Sequence, residues 1–384
     1  MEIPMEPPAL LVAGSDSAAT PSFEFKTYET SIAIIERAGW RIQQPIQWIS
    51  QSQEGAIAFL NEPSPRDRRK LLQSNRFRIL LVKSPEPMAP HQLTEITTAV
   101  KTTGYTREHF DFFLENDTAG SVTLEDPALG VTFVAQAPQD DGYPFFALSL
   151  SHRPQESHAR GIDWECLLLV QPSSLWDDYS EPLLCRDPFP HDSAAPIPAD
   201  LMIVPVVLLN WQVEQIMKEV NETKRKLMAQ YRAMVVGEAV TVEELRRARD
   251  ELFSLWQKTL FLRRRWDFAG ELAGNLLHAF GVLEKRYILG SGSGTNGMDG
   301  VQGRYSPTLV TRVLNQQATL KSVVHDIETT ASRIESQQKL VDDKSKAVME
   351  HRDRVSLKII AILTLIFLPA TFLAACLVIL SFKF

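Results

Sequence analysis

The residues with which this chain could do chemistry are eight histidines, three cysteines, a few paired acids and one run of arginines. The histidines, at positions 91, 109, 152, 158, 191, 278, 325 and 351, form neither a His-Glu-x-x-His pattern nor a close Cys/His cluster. That spacing is what a zinc site needs. His152 and His158 share a polar stretch with Glu156, and Asp140-Asp141 and Asp177-Asp178 set carboxylates side by side, the donors that suit a hard divalent cation. Neighbouring aspartates are also ordinary turn residues, and no metal ligand is assigned. Gly292-Ser-Gly-Thr-Asn-Gly297 fits G-x-G-x-x-G, which holds a pyrophosphate only between a strand and the start of a helix. Here a helical pattern precedes it and more loop follows, so it reads as a turn. No nucleophile with a positioned base can be assembled, and the chain is not expected to be an enzyme. Arg263-Arg264-Arg265, ahead of Trp266, spreads over most of a helix circumference and reads as a solvated, acid-paired face, with anionic lipid or an acidic partner as the other reading.

The totals narrow the classes further. A net charge of −7 provides no broad basic surface to neutralise a phosphate backbone, so nucleic acid is not an expected partner. Cys166, Cys185 and Cys376 lie far apart with no Cys-x-x-Cys pair, which fits free thiols in a reducing compartment. The N-terminal MEIPMEPPALLVAG has acids and prolines where a secretory signal carries basic residues. Asn116-Asp-Thr118 and Asn221-Glu-Thr223 match the glycosylation pattern but are expected to stay in the cytosol.

The elements that must position these residues follow from the patterning. Residues 1–22 read as a loose tail, and 23–189 as a mixed α/β domain of short apolar runs separated by turn signals. FEFKTYE, AIAFL, FRILLV, SVTLED, VTFVAQ, FFALSL and CLLLV read as strands, with short helices over 91–101 and 106–114. A proline-rich connector over 190–199 leads to long antiparallel helices over 200–289, the second opened by Thr241 with Glu244 three residues on, a capping box. A Gly-rich loop over 290–305 then precedes a stalk helix over 306–358. The fold class is α+β.

In the stalk, Val313, Gln317, Leu320, Val324, Ile327, Ala331, Ile334, Gln338, Val341, Ser345, Val348, Arg352 and Val355 follow alternating steps of four and three, a heptad seam. The same stripe is predicted whether the helix forms a coiled coil or packs on the two helices before it. It runs without a breaker into Ile359–Leu380, about 22 uncharged residues, which at about 1.5 Å per residue can cross a hydrocarbon core of about 30 Å. Lys339, Lys344, Lys346, Arg352, Arg354 and Lys358 precede this segment and Lys383 follows it, so the expected topology is single-pass with a cytoplasmic N-terminus, followed by a tail over 381–384. Thr364 and Thr371, one heptad apart, are the hydroxyls of the span, and Pro369 removes one of its backbone bonds.

The run RDRVSLKIIAILTLIFLPATF, at the end of a long heptad helix, resembles the stalk and first membrane helix of CorA-type magnesium channels, above all the divergent fungal CorA-like proteins. The resemblance is closest over Arg352–Phe372 and covers the helices from Asp200 more loosely. It implies a divalent-metal, chiefly magnesium, transporter, assembled as a pentamer in the bilayer, with acidic pairs of the cytosolic domain as sensors of the ion. It implies no cofactor beyond magnesium as the ion carried or sensed. In that family a Gly-Met-Asn motif and a second membrane helix follow the first. Here Ser381-Phe382-Lys383-Phe384 follows Leu380, and Gly297-Met298-Asp299 lies ahead of the stalk. Continued through the span, the seam presents Ile359, Ile362, Ile366, Pro369, Leu373, Cys376 and Leu380, an apolar set unsuited to hydrating a pore. The expectation is therefore a diverged member that does not conduct alone, a subunit of a larger metal-transport assembly, or an incomplete chain whose second span is missing. The alternative is a tail-anchored coiled-coil tether or scaffold with a SNARE-like layout, whose stalk would zip with other coiled-coil chains.

Overall fold

The structure, a computed structural model, describes residues 24–33, 49–61, 74–83, 118–126, 130–139, 145–154, 162–171, 202–236, 241–290 and 307–381. The chain divides into two compact units, Met1–Trp211 with Gly270–Gln316, and Gln212–Ala269 with Gln317–Phe384.

The first unit holds a sheet of seven described strands: β1 (Glu24–Ala33), β2 (Ile49–Gln51), β3 (Ser74–Lys83), β4 (Gly120–Asp126), β5 (Gly130–Gln136), β6 (Phe145–Pro154) and β7 (Ile162–Gln171). Their order is β2-β1-β3-β7-β6-β5-β4, and only the β3–β7 pair is parallel. The two near-continuous apolar runs, FRILLV and CLLLV, are the strands that meet there, with Ile79 opposite Cys166 and Leu81 opposite Leu168. Both are buried from Arg78 to Lys83 and from Cys166 to Gln171, as strands covered on both faces must be. Burial pushes the Cys166 thiol well above its ordinary range, so it packs as an apolar group and is chemically inert.

One strand reading is overturned. AIAFL lies inside a helix, α1 (Gln53–Asn61). Ser52 caps it, its hydroxyl accepting the Gly55 N–H at 3.1 Å and its carbonyl the Ala56 N–H at 2.9 Å. A five-residue apolar run has no period long enough to separate strand from helix, and here the cap decides. Phe59 of α1 lies under the buried Arg78 guanidinium, 4.3 Å from the ring centre, and Glu165 stands 3.9 Å from the same group. The cation thus ties α1 to β3 and β7 at once.

At the other edge, β4 meets residues of the second of three long helices that belong to the same unit. The long helices are α2 (Ile203–Val236), α3 (Val242–Gly290) and α4 (Pro307–Ser381). The Ser121 N–H donates to Glu271 of α3 at 3.0 Å, and the Asn275 amide donates to the Ser121 carbonyl at 2.8 Å and its hydroxyl at 2.9 Å. Thr123 adds a bond to the Asn275 carbonyl at 3.3 Å. Backbone groups that an edge strand leaves open are here closed by helix side chains.

The second unit is a three-helix bundle. Leu227 and Met234 of α2, Leu245, Leu252 and Leu255 of α3, and Ile334 and Val341 of α4 form its core, with Ala248, Trp256 and Val348 packed against it. The helix α3 starts at the capping box read from the sequence. The Thr241 N–H donates to the Glu244 carboxylate at 2.8 Å, and the Glu244 N–H donates back to the Thr241 hydroxyl at 3.2 Å. The first of these bonds holds the Glu244 carboxyl below its ordinary value.

Half of the heptad seam is displaced by one residue. Val313, Leu320, Ile327, Ile334 and Val341 are buried as expected, but Gln317, Val324, Ala331, Gln338 and Ser345 are only half-buried, and Arg352 and Val355 are exposed. The second line instead runs through Gln316, Val323, Thr330, Gln337 and Lys344, of which Val323, Thr330 and Gln337 are buried. Apolar counting prefers Val324 and Ala331. The helix turns the more polar line inward because its polar groups find backbone acceptors: Thr330 the Asp326 carbonyl at 2.6 Å, Gln337 the Leu227 carbonyl at 3.5 Å, and Lys344 the Met234 carbonyl at 2.7 Å.

Ile334→Ala should cost about 2–5 kcal/mol of unfolding free energy, whereas Val355→Ala should stay within about 0.5 kcal/mol. Denaturant titration of the full-length protein, followed by helical circular dichroism, measures both, and equal losses would contradict the burial boundary. Because the Glu244 carboxyl titrates lower in the folded chain, its stabilisation is present above the ordinary carboxylate range and disappears as pH falls through the folded value. Glu244→Gln should remove that acid-limb dependence of the melting temperature and leave the neutral-pH profile unchanged in shape.

Candidate functional site

The feature that separates this chain from an ordinary helical bundle is how α4 leaves it. Val348 is the last α4 residue packed against the core, and from Met349 to Pro369 every residue is exposed. The helix continues through Met349–Lys358, about 15 Å, and on through the uncharged segment without a break. Among the described residues this is the one helix long and apolar enough to cross a membrane, and none of its apolar window is buried. Ile359, Ile362, Ile366 and Leu373, the residues of the continued seam, are all more than half exposed. In water such a surface would be costly, at about 25 cal/mol per Å² of apolar area, and in hydrocarbon it is not.

The span's own polar atoms are turned inward on its backbone. The Thr364 hydroxyl donates to the Ile360 carbonyl at 2.8 Å, and the Thr371 hydroxyl reaches the Phe367 and Leu368 carbonyls at 2.8 and 3.0 Å. Both hydroxyls therefore donate their protons to carbonyls of the preceding turn. They line a shallow groove with Leu363, Phe367 and Leu368. Pro369 stands inside the helix, where it withdraws the donor that the Leu365 carbonyl would use.

Above the span, the arginine run is divided rather than shared. Arg263 is acid-paired, at 2.9 Å from Glu328 and 3.6 Å from Asp267, and its guanidinium lies 4.8 Å from the centre of the Trp266 ring. Arg264 is exposed. Arg265 is not part of a solvated face at all: it is buried and donates to the Gln212 side chain at 3.0 Å. Successive residues turn by about 100°, so one of three must point at the core. Trp266 donates to the Leu320 carbonyl of α4 at 2.7 Å, and Lys224 pairs with Asp326 of α4 at 2.7 Å. Sequence reasoning missed Gln337 and Arg265 as buried groups and Lys344 as a half-buried anchor; for Gln337 and Lys344 the one signal was an α4 heptad line lying a residue ahead of the chosen one.

Among the described residues no group of three His, Cys, Asp or Glu side chains could hold a metal. Asp140-Asp141, Asp177-Asp178, Glu156, His158, Gly292–Gly297, Gly297-Met298-Asp299, the helices expected over 91–101 and 106–114, and the tail, connector and Gly-rich loop lie outside the described residues. His152 lies in β6, in register with Val131 and Trp164.

The geometry defines a class: an α+β protein whose last bundle helix becomes, without interruption, a segment suited to a bilayer. No family model and no curated protein matches the chain. Solved structures are similar to it at low identity, among them the following two. The structure of the full-length CmaX protein covers 93% of this chain and 86% of its own at 12% identity, with a TM-score of 0.48. The complete structure of the CorA magnesium transporter from Methanocaldococcus jannaschii covers 91% and 84% at 9% identity, with a TM-score of 0.40. At these scores neither likeness defines the function of this chain.

An arginine at Ile366, in the middle of the segment, should raise the apparent cost of membrane insertion by about 2.5–3.5 kcal/mol. A translocation reporter fused across the segment would show the inserted fraction falling for Ile366→Arg and staying unchanged for Thr364→Val. Unchanged insertion of the arginine variant would mean that the segment does not lie in hydrocarbon.

Proposed function

We propose that this chain is a membrane-anchored subunit of a CorA-type transport assembly for divalent metal, chiefly magnesium, with its N-terminal mass on the cytoplasmic side of a single span. The observation that carries the reading is α4 itself, one helix of 75 residues that is packed in the bundle at one end and apolar at the other. The run Arg352–Phe372 supplies the family reading, and magnesium enters as the ion carried or sensed. Self-association follows the same resemblance, which implies five copies. The chain performs no catalysis. It does not conduct alone, because the seam continued through the span is apolar.

The tethering alternative is not favoured. A SNARE-like stalk keeps its seam free for other chains, whereas here Ile334 and Val341 are already packed against α2 and α3 of the same chain.

Depleting the chain from its own cells should lower magnesium uptake several-fold, read with a magnesium-sensitive dye, while the purified protein in liposomes gives no uptake above that of empty vesicles. Unchanged uptake in depleted cells, together with recovery of coiled-coil fusion proteins as its partners, would replace this reading by the tether. Flux from the pure protein would overturn the statement that it does not conduct alone.

A further inference from the structure

The helix α2 carries a line of large apolar side chains that its own bundle leaves open. Met228, Tyr231 and Val235 are 43%, 42% and 52% exposed, at positions i, i+3 and i+7 of one helix flank. That flank borders α4. The Gln337 and Lys344 side chains of α4 reach the Leu227 and Met234 carbonyls of α2, contacts seven residues apart on both helices, so the two run parallel and in step. Tyr231 stands between Leu227 and Met234 and is turned outward from them by about 40–60°. On α4, Arg333 and Leu340, again seven apart, are turned outward from Gln337 by about 40–60°. Arg333 is exposed and Leu340 half-buried. The two lines thus face each other across a groove between α2 and α4, which Lys224 and Asp326 close at one end with an ion pair at 2.7 Å.

Charge separates this groove from the one on the other side of α4. There α4 presents Glu328, Glu335 and Asp342, seven residues apart, and the arginines of α3 are answered: Arg263 by Glu328 at 2.9 Å and Arg249 by Asp342 at 4.0 Å. On the α2 side the residues seven apart are Asp326, Arg333 and Leu340, and the one acid among them is already held by Lys224. From Arg225 to Val236, α2 contains Arg225, Lys226 and Arg232 and no acid. Lys226 pairs with Glu222 at 2.8 Å, whereas Arg232 and Arg333 have no carboxylate partner among the described residues. Even with Asp343, three residues after Leu340, counted in, Arg225, Arg232 and Arg333 leave the rim with an excess of positive charge.

Apolar anchors at i, i+3 and i+7 suit a helix laid along the groove, and a cationic rim selects an acidic one. We infer that the groove between α2 and α4 receives an amphipathic helix of a partner protein, with its apolar residues on Met228, Tyr231, Val235 and Leu340 and its carboxylates on Arg232 and Arg333. Lipid is the wrong occupant on distance. Leu340 precedes Ile359 by nineteen residues, about 28 Å of helix, whereas the headgroup layer is about 5–8 Å deep. A second copy presenting the same groove would set arginine against arginine. The buried seam of the bundle stays closed, so the partner adds a helix to the outside, and the surface is independent of what the span does.

Full-length protein in lipid nanodiscs tests this with two fluorescein-labelled helical peptides of about five turns, both with leucine along the seam, one edged with glutamate and the other with lysine. By fluorescence anisotropy the glutamate peptide should bind, and the lysine peptide at least about tenfold more weakly. Arg232→Glu combined with Arg333→Glu should reverse that order, and Tyr231→Ala should weaken the glutamate peptide, both with unchanged helical circular dichroism. Arg246→Glu, on the exposed side of α3, should leave the order as it is. Equal binding of the two peptides, or an order unmoved by the two reversals, would overturn the groove. A photo-crosslinker at Tyr231 in the chain's own cells then identifies the occupant. Adducts on an acidic helical segment of another protein support the inference, and adducts on phospholipid or on a second copy of this chain overturn it.

Discussion

The burial of one line of α4 against α2 and α3 is the constraint on which the rest of the second unit depends. Ile327, Ile334 and Val341 supply the apolar contact, but the rotation of the helix is fixed by groups that reach backbone carbonyls on its neighbour. Lys344 is the clearest of these. Its ammonium meets the Met234 carbonyl in the last turn of α2, where a helix has no intrahelical donors left and its dipole favours a cation. One side chain thus closes the end of α2 and sets the rotation of α4. The price is a polar residue in the seam, which a seam built for strength alone would avoid.

The first unit solves the matching problem for its sheet. A mixed sheet with one parallel pair at its centre leaves an open edge at β4, and Glu271 and Asn275 of α3 occupy it. The arrangement gives the Glu271 carboxylate and the Asn275 carboxamide a structural use in closing that edge. Inside the sheet, Arg78 is held between the Glu165 carboxylate and the Phe59 ring, a buried charge stabilised by an acid on one side and a π face on the other.

Much of this was legible in the sequence, and the exceptions have physical causes. The long helices declare themselves because a 3.6 period sustained over many turns has few competitors, and Thr241 with Glu244 marks one start by chemistry rather than by pattern. The strands FRILLV and CLLLV were readable as strands but not as parallel neighbours, since pairing is a non-local choice. AIAFL was misread because five apolar residues carry no period and the cap at Ser52 lies outside the run. The seam was half right because hydrophobicity cannot weigh a glutamine or lysine that will find a carbonyl on a neighbouring helix. Arg265 failed for the same reason: nothing in three identical residues says which one points inward.

The unbroken passage of α4 from core to span has one more consequence. Between Val348 and Ile359 no other described helix packs on it, and no proline or glycine interrupts it, so it behaves as a shaft. In a shaft, orientation is conserved along the length: the side of the span that faces a neighbour is dictated by the side of the bundle that faces one, about 100° for each residue between them. The ten residues Met349–Lys358 are therefore a phase setting, and their number matters more to the bilayer end of the protein than their identity.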